Sequence, residues 1–139
     1  MKISLRTGQR PASFGRAAQL VNAGLYGFGE ALAELIDELK KMDVSDLSDA
    51  MAVAPAKFAK KNDDYEEWQD AYFAAAAEHV ARGSGIKIPS WTEAQDRFLR
   101  RAWFDNHGLS SLNAMMLAES PLAFRRRFIF TEARPLRRA

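Results

Sequence analysis

No cysteine occurs in the 139 residues. That removes disulfides, thiol nucleophiles, iron–sulfur ligation and thiolate zinc sites, and it is compatible with a reducing compartment. Histidine is scarce too. The two copies, His79 and His107, exclude a histidine-rich metal site. No uninterrupted apolar run approaches the roughly 18 residues that a membrane helix needs. The opening stretch, MKISLRTGQRPASF, has no apolar run after its charges and does not read as a secretory signal. These absences point to a soluble, cytoplasmic protein. Strand signals are missing as well: strands do not alternate with helices, and no hairpin signature occurs. Gly24, Gly27 and Gly29 follow no strand, and no Lys-Ser or Lys-Thr closes them into a phosphate cradle. Close helix packing or a helix break is their plainer meaning.

What is present suits one domain. Hydrophobic residues make up 47%, and the three Trp, three Tyr and nine Phe each bring a large area to bury. The length is enough for a core of ordinary size. The net charge of +2 hides an uneven layout. Residues 1–16 hold four bases and no acid, while residues 30–49 hold seven acids against Lys40 and Lys41. Residues 105–139 hold six arginines against three acids. A chain with an acidic middle and basic ends folds its ends over its middle, or shows partners two faces of opposite sign.

Periodicity predicts an all-α class: a single helical domain over 1–139, a compact bundle of five to six helices. A basic N-terminal arm is expected over about 1–12 and a basic tail over about 131–139. Ser13 is placed to cap a helix from Phe14, and the glycines favour a break near Gly27–Gly29. Leu32, Leu35, Ile36 and Leu39 form one stripe of a helix over 30–41. DVSDLSDAMAVAP reads as a short helix ending before Pro55, and AKFAKKNDD as another. The clearest helix spans 63–82, capped by Asn62 or Asp63 and stopped by Gly83. Trp68 and Tyr72 face its core side. Ser90 and Glu93 have capping-box spacing, which starts a helix or helical turn through WTEAQDRFLRR. FDNHG is a turn. LSSLNAMMLAES is helical, with Leu109, Leu112, Met115 or Met116, and Ala118 inward. Ser120 caps a last helix with Pro121 at its first position.

The chemistry-bearing residues each have a plain reading beside a functional one. His79 sits on an apolar helix face with no predicted acid or nucleophile attached, so a structural histidine accounts for it as well as a general base does. Asp105 and His107 share a turn, where neighbouring side chains diverge from any common metal. Asp63, Asp64, Glu66, Glu67 and Asp70 form an acidic run without calcium-loop spacing. It is a solvated helix face or a contact for a basic partner. No metal, cofactor or catalytic constellation is expected.

The sharpest feature is SPLAFRRRFIF, residues 120–130. Phe124 and Phe128, four apart on a helix, are expected to dock inward. Arg125, Arg126 and Arg127 spread over about 200°. One is expected to meet an acid of the middle segment, which holds six acids over residues 57–78 and its largest reservoir, seven, over residues 30–49, and the other two to stay exposed. Three roles stay open for them: part of the fold, contact with a protein, or contact with nucleic acid.

DAYFAAAAEHVARGSGIKIPSWTEAQDRFLRRAWF, a gap, and LSSLNAMMLAESPLAFRRRFIF together resemble a group of small, uncharacterised, all-helical bacterial proteins. Its pattern is Pro-x-Trp-Thr, Arg-Phe-Leu, Trp-Phe, then Glu-Ser-Pro with Phe-Arg-Arg-Arg, and the resemblance covers about residues 30–130. Ala102 and Phe128 depart from the pattern. The resemblance implies a partner protein, with some members similar to antitoxins beside nucleotidyltransferase-like toxins. It supplies no catalytic residue. The expectation is therefore a non-enzymatic accessory protein, antitoxin-like, acting by contact with a partner protein through Arg125, Arg126, Arg127, Arg100 and Arg101. The alternative is a nucleic-acid-binding regulator using the basic N-terminal arm and the C-terminal arginines. A homo-oligomer is compatible with either.

Overall fold

The computed structural model of the chain describes residues 10–58 and 67–136. Six α-helices lie among them, with one pair of two-residue strands, so the fold is mostly α. Contacts gather in two units, Met1–Tyr65 and Glu66–Ala139.

In the first unit, α1 (Phe14–Asn22) starts where Ser13 accepts a hydrogen bond from the Arg16 N–H at 3.1 Å. Phe14, Ala17, Ala18 and Val21 recur at helical spacing and are buried against α2 (Phe28–Leu39). The break between the two helices comes slightly before the expected place. Gly24 takes the left-handed conformation, φ 78°, and turns the chain. Gly29 is then free to sit inside α2. Helix α3 (Val44–Ala52) is capped by Asp43, which accepts from the Asp46 N–H at 2.8 Å, and it buries Leu47 and Met51. The expected helix in AKFAKKNDD does not form over residues 56–58, and the rest of that stretch lies outside the described residues. Phe58 packs edge-on to Phe28 at 5.3 Å. Of the expected N-terminal arm, residues 1–9 lie outside the described residues. Arg10 closes onto the acidic face of α2, 3.3 Å from each of Glu34, Asp37 and Glu38.

The second unit is organised by α4 (Glu67–Ser84). Residues 70–78 are all buried, so every face of the helix is covered over two turns. Its run of alanines lets neighbouring backbones come close. The helix passes through the expected stop at Gly83. It ends at Gly85, φ 71°, where the Ile86 N–H reaches back to the Ala81 carbonyl at 3.1 Å. The helix or turn expected from Ser90 is two 3₁₀ turns, Ser90–Glu93 and Gln95–Arg97, broken by extended Ala94. Thr92 and Arg97 are both buried. Five residues apart on a continuous α-helix they would point about 140° from each other, and the break lets both face the core.

Strand β1 (Trp103–Phe104) pairs in parallel with β2 (Ile129–Phe130), Trp103 opposite Ile129. Trp103 stacks on Trp68 at 4.3 Å, and Tyr72 meets both rings edge-on. Tyr72 is buried as expected, whereas Trp68 is half-buried. The FDNHG turn is closed by the Gly108 N–H donating to Asn106 Oδ1 at 3.0 Å. In α5 (Asn113–Glu119) only Met116 is buried. Of the expected pair Met115 or Met116, Met116 is the one that faces inward, whereas Leu109 and Ala118, also expected to face inward, are exposed. Helix α6 (Leu122–Arg125) is one turn long, with Pro121 as its N-cap and not its first residue. No helix among the described residues is long and apolar enough to cross a membrane.

Candidate protein-contact surface

Glu78 is the lone acid in the alanine run of α4, and it is fully buried. A carboxylate there must be paired or it destabilises the fold by several kcal/mol. Three arginines supply the partners. Arg127 donates from Nη1 at 2.6 Å, Arg126 from Nη1 at 2.7 Å and Arg82 from Nε at 2.7 Å. Burial pushes the Glu78 carboxyl up. The hydrogen bonds from Arg127, Arg82 and Arg126 outweigh that and hold it below its ordinary value. Arg126 also grips Glu93 with both terminal nitrogens, at 2.8 and 2.9 Å. The hydrogen bond from Arg126 lowers the Glu93 carboxyl as well.

The arginine triplet divides as expected, Arg127 buried on an acid and Arg125 and Arg126 exposed, but the two exposed guanidinium groups also hold partners within the chain. Arg127 is fully buried and donates further to the Ala123 and Thr92 carbonyls, at 2.7 and 2.8 Å. Its guanidinium lies over the Phe98 ring at 4.6 Å, and its buried Nε has no hydrogen-bond partner among the described residues. Arg126 is taken by Glu78 and Glu93. Arg125 is exposed, but its guanidinium caps the end of α5 through the carbonyls of Leu117, Ala118 and Ser120, at 2.7 to 3.2 Å. The triplet meets an acid of the middle segment as expected, Glu78, though not one of the larger reservoir at residues 30–49, and Arg126 reaches Glu93 as well. Phe124 docks inward as expected. Phe128 does not, because α6 ends at Arg125 and the i, i+4 relation ends with it. Its φ of 63° puts it in the left-handed region, and the residue is 48% exposed. For a bulky residue that conformation costs of order 1–3 kcal/mol.

One stretch of the surface of this unit is apolar. Along residues 109–122, Leu109, Met115, Leu117 and Leu122 are exposed. At 100° per residue, Leu117, Ala114, Ala118 and Met115 follow one another around α5 over about 160°. All four are exposed, so the outward face of α5 is hydrophobic. Arg100 and Arg101 are also exposed, and neither makes an ion pair among the described residues. The remaining candidates do not join this surface. His79 is half-buried, edge-on to Phe124 at 5.8 Å, and burial lowers its pKa. Exposed His107 lies 3.6 Å from Asp105. Of the acidic run, Asp70 faces Arg97 at 3.8 Å. Asp63, Asp64, Glu66 and the Glu67 side chain lie outside the described residues. The described residues contain no group of three metal-binding side chains.

No family model matches this chain, and no curated protein or solved structure is similar to it.

Proposed function

We propose that the chain acts without catalysis, as an accessory protein that holds a partner protein by surface contact in the manner of an antitoxin. The observation that carries this reading is the hydrophobic outward face of α5 with its neighbours Leu109 and Leu122. Contiguous exposed apolar side chains of this kind are the usual mark of a protein–protein contact. Arg100 and Arg101 supply charge for recognition. The nucleic-acid alternative draws on the same two arginines, but Arg125, Arg126 and Arg127, which it also needs, give their hydrogen bonds to carboxylates and carbonyls of this chain.

Co-expression with the product of the adjacent gene tests the reading. The product should co-purify with the parent chain. It should be lost from a Met115→Glu/Leu117→Glu variant whose melting temperature is unchanged. Retention by the variant, or no co-purification with the parent, would contradict the proposal.

A further inference from the structure

The backbone places Phe128 beside the two free arginines. The Leu99 and Trp103 N–H groups donate to consecutive carbonyls, those of Arg127 at 3.3 Å and Phe128 at 2.9 Å. Three residues separate the donors, so Arg100, Arg101 and Ala102 loop out next to Phe128. All three are exposed. A φ of 63° holds an aromatic ring out of the core at a position where glycine would sit without strain. An exposed residue with an aromatic ring and two arginines with no ion pair among the described residues thus share the edge at which β1 and β2 begin.

We propose that this edge binds an acidic segment of a partner protein, with carboxylates on Arg100 and Arg101 and an apolar side chain on Phe128. The inference rests on the protein-contact reading above and names the partner's chemistry. Guanidinium groups match carboxylates bidentately. Nucleic acid draws its affinity from many phosphate contacts made together. Here the neighbouring Arg126 and Arg127 are consumed by Glu78 and Glu93, so the site offers two guanidinium groups, which suits a pair of carboxylates and falls short of the many contacts a phosphate chain uses. The carboxylate partner is favoured on that count.

The test is fluorescence anisotropy of the full chain with a labelled peptide in which Glu-Glu pairs flank Leu and Phe. A counterpart peptide with Gln for Glu serves as the comparison. The acidic peptide should bind, and its counterpart should bind more weakly. Arg100→Glu and Arg101→Glu should each weaken binding by about fivefold, the upper end for an exposed ion pair. Phe128→Gly should lose most of the binding while melting at or above the parent's temperature. A Phe128→Gly chain that melts well below the parent would make the ring structural and overturn the proposal. Equal binding of the two peptides would also overturn it. Tighter binding of labelled oligothymidylate, lost in Arg100→Glu, would give the surface to nucleic acid. Self-association of the parent, lost in Phe128→Gly, would give it to a second copy. Either result counts against the acidic partner. Failure of the peptide alone, with co-purification still dependent on Met115 and Leu117, would sink this inference and leave the broader reading standing.

Discussion

Glu78 sets the energetics of its surroundings. Its carboxyl is held low in the folded chain, so the unfolded chain takes up the proton first as pH falls. The stabilisation is complete above the ordinary value of 4.5 and is lost as pH drops through the lower folded value. Glu93 shifts the same way, while Asp105, pushed up by burial, works in the opposite sense. Urea midpoints measured across pH should begin to fall near pH 6.5, where the unfolded chain protonates His79 first, and should fall further below about pH 4.5 as Glu78 and Glu93 follow. A Glu78→Gln chain should be weaker at neutral pH and lose much of that further decline. A parent midpoint that does not change on acidification would refute the assignment. At this scale the sequence was half legible. Phe124 reads inward from its spacing, and so it is. Phe128 reads inward from the same spacing but projects outward, because spacing assumes that the helix continues. Glu78 carried a signal that went unused: a single acid inside FAAAAEHVA, on a helix apolar all round, calls for buried cations.

Helix starts were more legible than helix ends. Ser13 announced its helix because the capping side chain is in the sequence. The stop of α4 was misread by two residues. Gly83 and Gly85 both carry stop chemistry, and only the backbone distinguishes them. That difference is measurable. Gly83→Ala should stabilise the chain by up to about 1 kcal/mol, since it fills a helical position with open space around the new methyl group. Gly85→Ala should cost about 1–2 kcal/mol, since alanine strains at positive φ. Chemical denaturation of the two variants decides, and the opposite order would restore the stop at Gly83. The pairing of β1 with β2 had no legible signal. Two residues carry no alternation, and what brings the strands together is the Trp68–Trp103 stack and the turn after α6. The 3₁₀ turns were hidden for a related reason. The burial of both Thr92 and Arg97, which breaks that helix, depends on distant partners.

Charge was legible in amount across the whole molecule but not in use. The uneven layout suggested basic ends lying over an acidic middle. Arg10 does lie on α2 within the first unit, while Arg126 and Arg127 turn to Glu78 and Glu93 within the second. The all-α class follows from periodicity, which is local and needs no partner. The candidate surface could not be read that way, because exposure is what remains after everything else has packed. Arg100 and Arg101 were singled out as basic residues and stay exposed. On the apolar face of α5, Ala118 reads inward from its spacing but is exposed. The arginine triplet is engaged within the fold, and Arg127 most deeply. Equilibrium unfolding of Arg127→Met measures how much the fold depends on it. A loss of about 3–5 kcal/mol is expected, the usual cost of removing one partner from a buried ion pair. A variant within about 0.5 kcal/mol of the parent, as for a free surface side chain, would contradict it.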